Sequence, residues 1–398
     1  ALGELKPCGC AKEEDQGGIE RRMGYFKTGL PPAANTLRVD LGDNFKEPTR
    51  QGRLKAKILA RAMRKMEYDA ILLGEKDLVY GNRFLGGLPE LPWVAANVHI
   101  DGLKILPFRI KTFADGLRVA LAAVVDPALF YEGRHTATGP DDPKKALAKV
   151  LATLQAGEPV DLVVLLTHMD RDKALQFLDV DGIDIVINGH IRDAEHLVDM
   201  TPVRRGEKIF LQPGPRGQKV GELRVRLTGS KKTYTTRMVP LDSKITLDKG
   251  MTDLYTAYNE QVEALFFESL AAKRKKTPAV YATDRVCKTC HAKAHATWAA
   301  SRHGRAYATL TRVHKAFDPE CLICHTTGFN RPGGFLSEID TPGLKNVQCE
   351  VCHGPRRDHA RAPQGGFAAQ ARDACRQCHV RNHSPKFNFG TYWPKIAH

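Results

Sequence analysis

The chain has 398 residues, 26% of them charged and 42% hydrophobic, with a formal net charge of +15. That length exceeds what one hydrophobic core usually supports, so two domains are expected. The longest apolar stretches, such as residues 161–166, are strand-sized, which excludes a membrane-spanning run in this sequence and leads us to expect a processed soluble protein whose leader has been removed.

Near the start, Cys8-Gly9-Cys10 follows Pro7 in a turn-forming context. Two thiols separated by one residue suit a soft metal, a redox pair, a strained disulfide, unbound thiols or a link to another chain, and these readings stay open. From Thr36 to about Pro240, short apolar runs alternate with amphipathic segments. Residues 37–41, 70–73, 93–96, 119–125, 162–166 and 183–187 read as buried strands. Residues 50–66 and 143–155 carry apolar side chains at helical spacing, so the pattern predicts an α/β domain, sheet layers flanked by helices, with its ligand site at the carboxyl ends of the strands. After Ile183 the character shifts to hairpin strands, including residues 208–211 and 220–227.

Residues 251–276 contain no Pro or Gly and repeat apolar residues at Leu254, Tyr258, Val262, Leu265 and Phe266, which predicts one long helix. Its closing run Lys273-Arg274-Lys275-Lys276 suits the helix dipole, and Pro278 follows. The domain boundary is placed here: an α/β domain over 1–245, a linker helix over 246–279, and a mostly α and irregular domain over 280–398. The last part is rich in Gly, Pro, His and Cys, as expected where prosthetic groups form most of the core.

Within the first domain, Val39-Asp40-Leu41-Gly42-Asp43-Asn44-Phe45 puts a carboxylate just beyond a strand. Gly74-Glu75-Lys76-Asp77, Ala95-Ala96-Asn97-Val98, Leu166-Thr167-His168 and Asn188-Gly189-His190-Ile191-Arg192 follow at strand ends. This set resembles the calcineurin-like metallophosphoesterases and 5′-nucleotidases, a group that includes periplasmic nucleotidases and the sulfate thiohydrolases of sulfur oxidation, across most of residues 1–245. The resemblance implies a two-metal hydrolase fold, yet the departures fall on ligands. Leu2 stands in place of a ligand, Glu75 of the bridging asparagine, Lys76 of the histidine that stabilises the transition state, and Arg192 of a second metal-binding histidine. Adding cations while deleting ligands opposes two-metal hydrolysis. Two outcomes are expected for Asp43, Glu75, His168 and His190: they hold a single non-haem metal ion, or Lys76 and Arg192 pair with Asp43 and Glu75. His99, His135 and His196 carry no motif.

The last third holds four copies of Cys-x-x-Cys-His, at Cys287-Cys290-His291, Cys321-Cys324-His325, Cys349-Cys352-His353 and Cys375-Cys378-His379. Two thiols at this spacing add to the two vinyl groups of one haem, and the following histidine reaches the iron as proximal ligand, so four covalently bound haem c groups are expected. Zinc ribbons do not require a histidine after every second cysteine. From residue 271 onward there are 21 Lys and Arg against 8 Asp and Glu, which is +13 of the +15. Nucleic acid is the usual guess for such a balance, but four haems bring roughly eight propionates, which absorb much of it. The remainder suits an acidic redox partner.

Cys287-x-x-Cys290-His291 with Trp298, Ser301 and His303, then Pro319-Glu320-Cys321-Leu322, Val347-Gln348-Cys349-Glu350, His353-Gly354-Pro355 with His359, and Tyr392-Trp393-Pro394-Lys395-Ile396 with His398 resemble multihaem cytochromes related to the tetrahaem protein that takes electrons from hydroxylamine oxidoreductase. This resemblance covers roughly residues 280–398. By family position His303, His359 and His398 are distal ligand candidates, with His314 and His383 competing for the fourth place. His295 reads instead as a surface or propionate-pairing residue. The sequence thus predicts a multihaem cytochrome that relays single electrons, exported to the periplasm or cell surface, with its phosphoesterase-like domain as scaffold or docking surface. The rival readings are a bifunctional metallohydrolase acting on a phosphorus or sulfur substrate, a multihaem reductase with one open haem, and a homo-oligomer stacked into a conducting filament.

Overall fold

The computed structural model describes residues 3–6, 15–30, 35–46, 48–132, 140–191, 198–229, 231–274, 278–363, 371–381 and 383–398. Leu2, Cys8, Cys10, His135, Arg192 and His196, all singled out above, lie outside the described residues. The chain divides into two compact units, the first built from residues 3–6 and 15–258, the second from 259–398. The division falls inside the long helix Lys249–Lys273, between Tyr258 and Asn259. No helix among the described residues is long and apolar enough to cross a membrane.

The first unit contains two sheets and a hairpin. Strands β1 (Val39–Asp40), β2 (Ala70–Leu72) and β3 (Trp93–Val94) form a parallel three-stranded sheet. The six-stranded sheet uses β4 (Phe108–Thr112), β5 (Arg118–Val125), β6 (Leu162–His168), β7 (Ile185–Asn188), β8 (Val203–Arg205) and β9 (Lys208–Leu211) in the order β4-β5-β6-β7-β9-β8. Its middle strands β5, β6, β7 and β9 run parallel, and antiparallel β4 and β8 close its edges. Strands β10 (Lys219–Thr228) and β11 (Lys231–Pro240) pair as an antiparallel hairpin.

Parallel strands covered on both faces read as continuous apolar runs, and β6 is buried along its whole length. Helix Pro143–Ala156 packs Leu147, Val150 and Leu154 with Leu165, Val186 and Phe210 of the sheet. Helix Arg50–Met66 starts where the Thr49 side chain accepts a hydrogen bond from the Gly52 amide at 2.9 Å. It ends at Glu67, which turns left-handed at φ 54°. Ala56, Leu59, Ala60, Met63 and Met66 form its buried stripe at three- and four-residue spacing.

The second unit consists of short helices after the end of Lys249–Lys273, with little sheet. Its side chains build more of a core than its sequence leads one to expect. Phe266, Leu270, Tyr307, Leu322, Phe329, Phe335 and Leu344 are buried in one cluster. The apolar residues contributing to it are scattered over separate short segments, so periodicity does not display them.

Candidate functional site

In the first unit, four parallel strands deliver four side chains to one point. Asp43 follows β1, Glu75 follows β2, His168 closes β6, and His190 follows β7. Their ligand atoms all lie within 4.8 Å of one another, with Asp43, His168 and His190 buried. The Gly42–Asp43 turn makes this possible, with φ of 83° and 54° at the two residues. Gly74 is required by close approach: a Cβ there would stand 2.5 Å from Asp43 Oδ1 and 3.0 Å from the His168 ring.

His168 Nδ1 donates to the Leu41 carbonyl at 3.0 Å, which directs Nε2 into the cluster, 2.7 Å from Glu75 Oε2 and 3.3 Å from Asp43 Oδ1. His190 Nδ1 lies 3.2 Å from His168 Nε2 and 3.8 Å from Glu75 Oε1. Burial alone would keep the His168 ring neutral, but Asp43 and Glu75 lift its pKa well above the ordinary value. Burial would likewise raise Asp43, and His168 with Lys76 holds it below the usual carboxylate range instead. His190 is lowered by burial and by the neighbouring His168.

Lys76 stands with Nζ 3.6 Å from Asp43 Oδ2, while its backbone amide donates to Asp43 Oδ1 at 3.0 Å. Of the two charge pairs expected for a metal-free site, the one between Lys76 and Asp43 is therefore present. Glu75 is engaged by His168, and Arg192 lies outside the described residues. Asp77, which carried no role in the sequence reading, holds the loops together. Its carboxylate accepts from the amides of Asp43 at 3.1 Å, Asn44 at 2.8 Å and Gly74 at 2.9 Å. Burial and the nearby Asp43 push its carboxyl up to about 7. The carboxylate and imidazole donors suit one divalent cation, and buried Asp43 Oδ2 has no hydrogen-bond partner of its own. The Lys76 ammonium sets a positive charge 3.6 Å from Asp43 Oδ2, which opposes the gathering of further cations there.

In the second unit, the attachment motifs lie on or beside the short helices Asp284–Cys290, Pro319–His325, Cys349–His353 and Ala371–Arg376. None of their eight cysteines is joined in a disulfide. Three of the motif histidines each lie near a second imidazole. His291 and His359 have ring centroids 6.3 Å apart, His379 and His303 6.1 Å, and His353 and His398 5.9 Å. Two imidazoles bound on opposite sides of one ion, each at about 2 Å from nitrogen to metal, would have centroids about 6 Å apart, so these pairs have a spacing that suits haem iron. Burial lowers the pKa of His303, His353 and His379, favouring the neutral form a ligand needs.

Apolar side chains beside the motifs also fit a bound macrocycle. Val286 is 43% exposed, Ile323 56% and Val380 40%, each adjoining a motif cysteine or histidine. His325 makes no ring contact with another histidine among the described residues. Its Nδ1 faces the Ala306 carbonyl at 2.8 Å and Thr309 Oγ1 at 3.1 Å, which would leave Nε2 to act as a metal ligand. The two competitors for the fourth distal place differ in setting. His314 is exposed and in the left-handed region at φ 52°, whereas His383 lies in a turn with its amide bonded to the Val380 carbonyl at 3.0 Å. His295 pairs with Asp284 at 3.2 Å and packs on Trp298.

Trp298 and Ser301 explain their own spacing in the sequence. Trp298 Nε1 donates to the Val347 carbonyl at 2.7 Å. Ser301 Oγ donates to the Trp298 carbonyl at 2.6 Å and accepts from the His303 amide at 3.1 Å, which fixes where His303 emerges. Motifs far apart in sequence also touch. Cys287 and Cys349 are within thiol hydrogen-bonding reach, as are Cys324 and Cys378, and Cys375 is close enough to Cys352 to act on it electrostatically. Sequence order gives no sign of these neighbourhoods.

Residues 286–354 match the family described as cytochrome c554 and c-prime. The chain is similar to cytochrome c-554 of Nitrosomonas europaea, with 28% identity over 122 residues, covering 26% of this chain and 52% of that protein. Among solved structures, a 5′-nucleotidase precursor from Thermus thermophilus superposes with a TM-score of 0.54 at 20% identity, over 67% of this chain and 56% of that one. The sulfate thiohydrolase SoxB of Thermus thermophilus does so with a TM-score of 0.52 at 17% identity, over 62% and 47%. The chain spans about half the length of each of these relatives. The fold is thus a 5′-nucleotidase-like α/β domain followed by a helical region with cytochrome c554 character, as the sequence predicts.

Proposed function

We propose that the protein is a tetrahaem c-type cytochrome that passes single electrons outside the cytoplasm, with its 5′-nucleotidase-like domain serving as a non-hydrolytic scaffold or docking surface. Haem, when bound, supplies reversible one-electron oxidation and reduction, and the chain supplies attachment, axial ligands and burial. The observation that carries this reading is the set of three imidazole pairs with centroids 5.9 to 6.3 Å apart. They support His359 as the distal partner for the first attachment motif, His398 for the third and His303 for the fourth. The closeness of Cys287 to Cys349 and of Cys324 to Cys378, with Cys375 within electrostatic reach of Cys352, supports a relay in the order first, third, fourth, second.

Export follows from the chemistry, because thioether attachment of haem takes place outside the bacterial cytoplasm; periplasm and cell surface both suit it. The partners are redox proteins, and the basic balance of the second unit favours acidic ones. Pyridine haemochrome titration against protein mass tests the haem count. Four haems per chain are expected, and a colourless protein with free thiols overturns the reading.

Two observations favour variants of this reading. The lone ring of His325 supports one haem without a histidine on its distal side, which would admit a small ligand such as nitric oxide or hydroxylamine. Binding of nitric oxide to one haem in four tests it. The cluster of Asp43, Glu75, His168 and His190 supports one bound divalent ion. Phosphatase or thiohydrolase turnover together with two non-haem metals per chain would restore the hydrolase reading.

A further inference from the structure

Glu350 sits inside the third attachment motif, directly after Cys349, and is 3% exposed. A buried carboxylate in such a place needs donors, and it has four contacts with backbone amides. The Ala282 amide lies 2.9 Å from both Oε1 and Oε2, Thr283 donates to Oε2 at 3.0 Å, and Arg356 to Oε1 at 2.7 Å. Every contact has Glu350 as acceptor, so the bonding pattern is that of the anion. Ala282 and Thr283 lead into the helix that carries Cys287, and Arg356 follows His353 closely in sequence. The carboxylate therefore lies between the first and third attachment segments, whose thiols Cys287 and Cys349 are themselves in contact. Gln348 reinforces the same junction, accepting from the Asp284 amide at 2.9 Å and donating to the Gly343 and Lys345 carbonyls.

We propose that Glu350 is a positioning residue whose fixed negative charge stabilises the oxidised state of the haems on the first and third attachment motifs and so lowers their reduction potentials. The inference rests on the tetrahaem reading above. A fixed charge inside a low-dielectric region acts on a nearby redox centre far more strongly than an exposed one, because water does not screen it. Loss of this unit of negative charge is expected to favour the reduced form by about tenfold in the equilibrium constant, which for a one-electron couple is about 59 mV.

The test is a spectroelectrochemical titration of the intact protein carrying Glu350→Gln or Glu350→Asp, with haem count and low-spin spectrum recorded on the same samples. The expected result is an upward shift of about tenfold in two of the four couples for Glu350→Gln, and couples like the parent's for Glu350→Asp, which keeps the charge. Unchanged couples in a fully loaded Glu350→Gln protein overturn the inference while leaving the tetrahaem reading intact. If Glu350→Gln does not load haem, the aspartate variant decides: unchanged couples support the charge role, and shifted couples or lost haem reduce Glu350 to a structural clamp. A parent protein without haem removes the reading beneath both.

Discussion

His379 and His303 face each other with ring centroids 6.1 Å apart, although His303 belongs by sequence to the neighbourhood of the first attachment motif and His379 to the fourth. The pairing of imidazoles thus crosses the order of the motifs along the chain, and which histidines meet is set by how the short helices pack rather than by distance along the sequence.

Replacing a distal histidine removes one axial ligand and leaves the thioether links untouched. His303→Ala, His359→Ala and His398→Ala are each expected to convert one low-spin haem per chain to a high-spin or water-bound one, with the haem count unchanged. His314→Ala is expected to leave the spectrum as it is. Low-temperature electron paramagnetic resonance of the oxidised protein distinguishes these outcomes.

Ser301→Ala deletes the bond to the Trp298 carbonyl and the acceptor for the His303 amide. The cost is about 1–2 kcal/mol of stability. The effect is expected to concentrate on the haem of the fourth motif, so that partial high-spin character appears there on warming before global unfolding. Identical melting at all haem bands would count against a role in placing His303.

The buried charges of the first unit make its stability depend on pH. His168 has a raised pKa, so its contribution is complete below the ordinary histidine value and is lost as pH rises through the raised one. Asp77, pushed up to about 7, loses its contribution as pH rises from the ordinary aspartate value to that raised one. Asp43 is lowered, so its contribution is present above the ordinary aspartate value and lost as pH falls through the lowered one. In chelator, the thermal midpoint of this unit is expected to be highest between about pH 4 and pH 6.5, with Asp77 favouring the acid side of that window and His190, whose pKa is lowered, the alkaline side. His168→Gln should flatten the alkaline side, which circular dichroism melts across pH would register.

One divalent ion per chain is expected at the Asp43 cluster, and His190→Ala should abolish it. Lys76→Ala removes the ammonium 3.6 Å from Asp43 Oδ2 and is expected to tighten metal binding by about tenfold or more. Metal analysis after equilibrium dialysis against manganese or zinc reads both changes. Equal affinity in the parent and Lys76→Ala proteins would mean that Lys76 does not compete with the ion.

The parts of this architecture that repeat with a simple period were open to reading from sequence. Helix Arg50–Met66 has the limits that its spacing of Ala56, Leu59, Met63 and Met66 implies, and the buried strands appear within about two residues of their apolar runs. Asp43, Glu75, His168 and His190 meet because each ends or follows a parallel strand, a rule that needs no coordinates. What sequence withheld depends on contacts between distant segments. Asp77 and Glu350 bind backbone amides, which have no residue code, and the core of Phe266, Leu322 and Phe335 is assembled from segments with no common period. The pairing of His303 with His379 is of the same kind.

The most direct measurement is a combined haem count and spin-state analysis of the oxidised native protein. Four haems per chain, with three carrying two histidine ligands and the haem at His325 carrying one, is the expected result. Fewer than four haems, or loss of a different haem's low-spin signal from the one assigned to each of His303, His359 and His398 when that residue is replaced, would contradict the ligand arrangement on which the electron-relay function stands.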